Sequence, residues 1–341
     1  MNKPAEASRG PSPHDVVLRM LSGAWMTQAV CAAVHFDIAE RLAAGPRSAS
    51  DLARECGALP DRLGRLLRAL ASEGLFHQLP DGRYENTPTS STLRSGLADG
   101  LGPVARMTGA EHYLGWSRFA DCLTKETTAF ELHFGAPIFG WYASHDVESS
   151  NFNKAMQGYS ASQVPALAAA YDTSACHRIV DVGGGHGGLL MALLANAPHA
   201  RGAVFDLEQG LDAARAAGLH HDPRVDLVAG DFFKGMTPGG DLYVMKFILH
   251  DWSDDQCVTI LTNIRKGLAP GGKVLVAEQI VGAPNQPDPA KWMDLHMMAM
   301  PGGRERTEEE YVSLFQRAGL RLSRATPTSC GLRLLEAVAA K

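Results

Sequence analysis

Hydrophobic and polar positions along this chain change rhythm near residue 177. Ahead of that point the repeats are helical: from His14 to Ala44, Val17, Met20, Leu21, Ala24, Trp25 and Ala29 recur at helical spacing on more than one face. Such a helix needs cover on several sides, as a helix in a dimer interface has. Next, "SASDLARECG" opens on a serine cap and stops at Gly57, and Pro60 opens a helix whose Leu63, Leu66, Leu67 and Leu70 form one stripe. "GLFHQLPDGRYENT" predicts two short strands around a Pro-Asp-Gly turn. Helix, helix and hairpin together spell a winged helix-turn-helix.

The segment from about Gly102 to Tyr171 is rich in aromatic residues and methionine, and "HYLGWSRF", "FGAPIFGWY" and "FNKAMQGYS" keep helical periodicity. After His177 short β-branched runs alternate with amphipathic helices: "RIVDVG", "GAVFDL", "VDLVAGD", "DLYVMKFIL" and "GKVLVAEQI". That alternation predicts an open α/β sheet with mainly parallel strands. The last segment, "LRLSRATPTSCGLRLLEAVAA", reads as a strand pair that ends the sheet with a reversed edge strand.

With 341 residues the chain is long enough for two domains. Its 32 basic and 37 acidic residues leave a net charge of −5, which favours neither a nucleic-acid nor a membrane-surface partner. The winged-helix stretch from Ser48 to Asp99 holds six arginines and no lysine against seven acids, so no basic face is expected there. Packing and dimerisation are the better reading of that module. Six cysteines, at 31, 56, 122, 176, 257 and 330, contain no close pair and read as free thiols of a reducing compartment. The start of the chain has no apolar leader, and no segment is read as approaching the ~20 apolar residues of a membrane span. A cytoplasmic location is expected.

"DVGGGHGG", Asp181 to Gly188, follows a strand and opens a helix, which turns backbone amides outward. Gly183, Gly185 and Gly188 satisfy G-x-G-x-x-G, and Asp206 ends the next strand where ribose hydroxyls bind. By itself that pattern also fits a dinucleotide or a plain tight turn. "AGDFF" ends the third strand, so Asp231 and Phe232 can offer an adenine a hydrogen bond and a ring face. The acid and glycine loop, the second-strand acid and this third block resemble the S-adenosylmethionine site of class I methyltransferases.

The resemblance becomes specific at "MKFILHDWSDDQC", which matches the block K-x-x-x-H-D-W-x-D of the plant caffeic acid and flavonoid O-methyltransferases and their bacterial relatives. "PGGRERTEEEY" matches a second block of that family, and the likeness spans nearly the whole chain. It implies a class I methyltransferase Rossmann-like sheet behind a mainly helical, winged-helix dimerisation domain. The implied boundaries are 1–105 for dimerisation and 106–341 for the S-adenosylmethionine-binding methyltransferase domain, the latter divided into a helical acceptor region, 106–172, and a Rossmann-like core, 173–341. It also implies a homodimer with interleaved N-terminal helices, a methyl donor that leaves as S-adenosylhomocysteine, and no metal.

Carried over by position, the family implies His250 as general base, with Glu278 and Glu305 flanking and orienting it. Gly183, Gly185, Asp206, Asp231, Phe232, Lys246 and Trp252 would contact the cofactor. Phe152, Met156, Tyr159, Asp251, Leu295, His296, Ala299 and Met300 would line the acceptor pocket. A histidine suits the task because a phenol has a pKa of ~10 against ~6.5 for imidazole, leaving proton transfer uphill by roughly 5 kcal/mol unless it is concerted with attack. A carboxylate on the far imidazole nitrogen fixes the tautomer and stabilises the imidazolium.

Two positions depart from the plant pattern. Met300 stands where an asparagine commonly precedes "PGG", and Tyr159 replaces a histidine. Those changes favour a more apolar aromatic acceptor, such as a bacterial secondary metabolite, over a lignin precursor. Two other functions share these features: a relative that retains the cofactor and catalyses a hydroxylation or pericyclic step, and a DNA-binding sensor of the cofactor. Loss of the histidine or its acids would favour the first, and all three are present.

Overall fold

The structure is a computed structural model that describes residues 11–97 and 99–340. The chain forms two compact units, Met1–Glu111 and His112–Lys341, so the division falls a few residues after the expected boundary.

In the first unit, helices Pro13–Leu21, Gly23–His35 and Ile38–Arg41 lead to Ala49–Cys56, which Ser48 caps by accepting the Asp51 amide and Gly57 ends in the left-handed region at φ 73°. Helix Pro60–Ser72 and the hairpin of β1 (Phe76–Gln78) and β2 (Tyr84–Asn86) complete the winged module. Leu52, Leu63, Leu67, Leu70, Phe76 and Tyr84 fuse these pieces into one core.

Helix Pro13–Leu21 buries nothing within the single chain, and Met20 and Trp25 stand 69% and 76% exposed, apolar surface of the kind expected to be covered in a dimer interface. Two other expectations for this unit change. The stretch Pro13–His35 is long and apolar enough, by length and composition, to cross a membrane, with a mean hydropathy of 1.3, although Ser, Gly, Thr and Gln are scattered through it. The charge count also missed a local feature. Arg62, Arg65 and Arg68 share the exposed face of helix Pro60–Ser72 and have no ion-pair partner among the described residues, while Asp51, Glu55 and Asp81 pair with other arginines.

The second unit begins with short helices that pack Phe130, Ile138 and Tyr142 against Ala299 and Met300. Its sheet runs β5-β4-β3-β6-β7-β9-β8, with β3 Arg178–Val182, β4 Arg201–Asp206, β5 Val225–Ala229, β6 Gly240–Lys246, β7 Leu268–Glu278, β8 Leu320–Pro327 and β9 Arg333–Ala339. Strands β3 to β7 pair in parallel, while β9 runs antiparallel to both β7 and β8. The reversed strand is therefore one place in from the edge, and β8 forms the edge itself.

Residues alternate between two apolar layers. Ile179, Val204, Leu242, Val244 and Leu275 face helix Gly188–Ala195, whereas Val180, Phe205, Tyr243, Met245 and Val274 face helices Asp254–Gly267 and Glu308–Arg317. Burial on both faces explains the nearly continuous apolar runs. It also leaves the carboxyl ends of β3, β4, β6 and β7 as the place where polar side chains can gather.

Candidate active site

Strand β6 stops at Lys246, three residues earlier than the run "DLYVMKFIL" predicted. Phe247 then takes a left-handed backbone at φ 55°, costly for an aromatic residue, and a short turn over Leu249–Asp251 lifts His250 off the sheet. Two contacts hold the Phe247 ring: the Lys246 ammonium lies 4.4 Å from its centroid, and the His250 imidazole stacks on it at 5.1 Å.

Glu278, the last residue of β7, stabilises this turn from below. Its Oε1 accepts the amides of Ile248 at 3.0 Å and Leu249 at 2.9 Å, and its Oε2 stays 3.9 Å from His250 Nδ1. The closer partner is Glu305, whose Oε1 accepts from His250 Nδ1 at 2.7 Å. The two acids thus divide the work that the sequence assigned to them jointly: Glu278 holds the backbone and contributes charge, and Glu305 holds the ring. With Nδ1–H bonded to a carboxylate, Nε2, 3.6 Å from Asp251 Oδ1, is the nitrogen that carries the lone pair once the ring is neutral.

The loop after helix Pro289–Ala299 completes the centre. Asp294 Oδ1 accepts the Glu305 amide at 2.9 Å, and the Arg304 amide donates to the His250 carbonyl at 2.8 Å. A Cβ on Gly303 would overlap that carbonyl oxygen, so the loop can pass here only as glycine. Arg306 is fully buried. Its guanidinium donates to the carbonyls of Leu249 and Trp252 at 2.9 and 2.7 Å and to Asp254 at 2.8 and 2.9 Å. Asp294 and Arg306 were not among the predicted site residues, although Arg306 stands inside the "GGRERT" block; the alternating charges of Arg304, Glu305 and Arg306 do not reveal which arginine turns inward.

The electrostatics follow from burial. Desolvation alone would depress the His250 pKa, but Glu278, Asp251 and Glu305 outweigh it and lift the value to about 9. Against a phenol at ~10, proton transfer to such an imidazole is uphill by about 1.4 kcal/mol instead of roughly 5. Burial raises Glu278 above the usual carboxylate range, with the His250 charge opposing, and raises Asp251 to about 6. Lys246 is pushed down to about 8 by burial, while Glu278 and Asp181 pull the other way. His250, Glu278 and Glu305 bring possible ligand atoms within 4.8 Å of one another, a set able by number to hold a cation. As built, Nδ1 donates its proton to Glu305 and Glu278 Oε1 accepts two amides, so the centre is arranged around a proton.

The glycine loop lies at the ends of β3 and β4. Gly183 has φ 67°, and a Cβ there would overlap the Ile248 side chain. The Gly185 amide donates to Asp206 Oδ2 at 2.9 Å and the Leu207 amide to Oδ1 at 2.7 Å, while burial raises the Asp206 pKa. Asp181 is buried beneath the loop with its Oδ2 unpartnered and its pKa raised to about 7 by desolvation. Asp231 caps the following turn through the Phe233 amide at 2.9 Å. Phe232, Phe233 and Trp252 form an edge-to-face cluster with centroids 4.8–5.9 Å apart. A backbone kept bare by glycine, a carboxylate at the second strand end, a buried lysine and an aromatic cluster fit a cofactor with ribose hydroxyls, a carboxylate and an adenine.

The predicted acceptor residues fall into two sets. Phe152, Met156 and Tyr159 are half-buried along helix Asp146–Ala161, with the Phe152 ring 4.7 Å from Tyr142. Leu295 and His296 are half-buried on helix Pro289–Ala299, whereas Ala299 and Met300 are sealed in the helical core, the Met300 thioether lying where only Gly115 leaves room.

Comparison with known proteins agrees with this architecture. Residues 116–321 match the profile of the O-methyltransferase domain, and residues 18–96 match the O-methyltransferase dimerisation domain. Phenazine O-methyltransferase of Lysobacter antibioticus is 37% identical over 324 residues, 94% of this chain and 95% of that protein. The crystal structure of LaPhzM superposes with a TM-score of 0.91 at 36% identity, covering 96% of this chain and 100% of that one. That of the neocarzinostatin-biosynthesis O-methyltransferase NcsB1, in complex with S-adenosylmethionine and 2-hydroxy-5-methyl naphthoic acid, gives 0.80 at 33% identity over 94% and 98% of the two chains. The chain belongs to the O-methyltransferase family and is an S-adenosylmethionine-dependent O-methyltransferase.

The His250 titration carries a prediction. A raised histidine pKa means that the folded site favours the protonated ring; that contribution is complete below ~6.5 and is lost as the pH rises through about 9. Acceptor kcat/KM should therefore climb between pH 7 and 9, measured with a phenol that does not itself titrate there. Glu305→Gln removes an anion but keeps an oxygen for Nδ1–H, so the climb should move down by about one pH unit and the plateau fall roughly 10- to 100-fold. An unmoved profile would mean that Glu305 does not set the basicity of His250.

Proposed function

We propose that the enzyme methylates a phenolic hydroxyl of an apolar aromatic secondary metabolite, with His250 as general base. The observation that carries this reading is the buried His250–Glu305 bond at 2.7 Å, which leaves Nε2 as the proton acceptor at the sheet's carboxyl end. One matched relative is named for a phenazine, and another was crystallised in complex with a naphthoic acid. When bound, S-adenosylmethionine supplies an electrophilic methyl group on a sulfonium.

The chain's own residues do the rest. Gly183, Gly185, Asp206, Asp231, Phe232, Lys246 and Trp252 hold the cofactor: the glycines give backbone access, Asp206 takes the ribose and the aromatic cluster flanks the adenine. Nε2 of His250 removes the hydroxyl proton as the oxygen attacks, Glu305 stabilises the imidazolium through Nδ1, and Glu278 keeps the turn and the charge balance. Phe152, Met156, Tyr159, Leu295 and His296, with Asp251, surround the acceptor, backed by Ala299 and Met300. Retention of the base and both acids favours methyl transfer over a hydroxylating or pericyclic relative. A nucleic-acid partner is disfavoured, since three arginines on one helix could neutralise about three phosphates, too few for tight binding at physiological salt.

The exposed apolar surface of Pro13–His35 lies largely within the matched dimerisation domain, and the enzyme works as a homodimer that covers it. Light scattering at micromolar concentration should read twice the 36.5 kDa of one chain, and a stable monomer would refute the dimer. For the chemistry, purified protein is incubated with labelled S-adenosylmethionine and a panel of phenols. Wild type should transfer the label, and His250→Ala should lose roughly 10²- to 10⁴-fold in rate while still binding the cofactor by calorimetry. An undiminished rate would dismiss His250 as the base.

A further inference from the structure

A pair of histidines, on the acceptor side, is held without charge. Trp116 Nε1 lies 3.0 Å from His296 Nδ1. An indole N–H can only donate, so Nδ1 is bare and the imidazole proton sits on Nε2. Burial accords with this, pushing the His296 pKa down to about 4, with the charge of His250 acting in the same direction. His112, its ring centroid 5.1 Å from that of His296, is pushed to about 3 by burial and bonds Tyr142 through Nε2 at 3.2 Å.

The Nε2–H of His296 has no partner among the described residues, and unlike His112 Nδ1 it is not among the buried unpartnered atoms. His296 lines a cavity of about 620 Å³ together with Trp116, Pro287, Pro289, Trp292 and Met293. The carboxylate in that lining, Asp288, is already engaged: it accepts the Gly282 amide at 2.7 Å and the Ala290 amide at 2.9 Å. Apolar and aromatic side chains of an open groove thus flank one uncommitted neutral donor.

We infer that His296 is a specificity-determining donor that selects aromatic acceptors carrying an in-plane lone pair, a carbonyl oxygen or a ring nitrogen, beside the reacting ring system, with Trp116 as the positioning residue that fixes its tautomer. This rests on the phenol-methylating reading above. A donor that the bound acceptor shuts off from water penalises a ligand that leaves it unpaired, which separates ligands of equal shape better than apolar contact does. A neutral donor meets a lone pair without adding a second cation beside His250.

The test compares hydroxynaphthalenes with hydroxyquinolines and hydroxynaphthoquinones of matched shape. Wild type should favour the lone-pair compounds by about tenfold or more in kcat/KM, mainly through KM. His296→Phe should bring the ratio close to one, Trp116→Phe should lower it, and His296→Gln, which keeps a neutral N–H, should retain much of it. The panel is also titrated by calorimetry into protein loaded with S-adenosylhomocysteine, so that the preference is read without turnover. No preference in wild type, or a ratio that survives His296→Phe, overturns the inference. Failure to methylate any phenol while the binding preference persists would instead strike the reading on which it rests.

Discussion

Two carboxylates buried against one imidazole are the constraint around which the second unit is arranged. Glu278 and Glu305 lie at 0% and 2% exposure, and neither could stay ionised there without compensating charge and hydrogen bonds. His250 supplies the charge to both, Lys246 adds to Glu278, and the amides of Ile248 and Leu249 donate to Glu278. The left-handed Phe247, the glycine at 303 and the buried Arg306 are each explained by the need to bring that turn and the 303–306 loop together.

The same arrangement links stability to reactivity. An imidazole raised to about 9 is nearly matched to a phenol, so little free energy is needed to move the proton, but at neutral pH most of the rings are already protonated. Strength as a base is obtained at the expense of the fraction ready to act. In the same unit, His296 and His112 are lowered chiefly by burial and go the opposite way, to about 4 and 3. Three histidines in one unit therefore hold different protonation states because carboxylates outweigh burial at only one of them.

Much of this was legible in the sequence where the signal is local or periodic. The β-branched runs marked β3 to β7, the Ser48 cap and the Pro-Asp-Gly turn marked the winged module, and the His-Asp-Trp and Gly-Gly-Arg-Glu-Arg-Thr blocks marked the centre. What was not legible depends on contacts between distant segments. The end of β6 at Lys246 is set by Glu278 drawing the amides of Ile248 and Leu249 into a turn, which no run of apolar letters records. The different tasks of Glu278 and Glu305, the inward path of Arg306 and the tautomer of His296 likewise emerge only once partners are in place. The reversed strand β9 was seen, but its position inside β8 follows from pairing with β7, which the sequence of the strand pair does not encode.

The claim on which the account turns is that buried acids make His250 a strong base with its proton on Nδ1. Nitrogen-15 NMR of histidine-labelled protein, read across pH with the His250 signals assigned from His250→Ala, measures both properties at once. The account predicts an Nδ1 that stays protonated and hydrogen-bonded through neutral pH, and an Nε2 that titrates with a midpoint near 9. A midpoint near ~6.5 with the two tautomers mixed, as in a free imidazole, would contradict it.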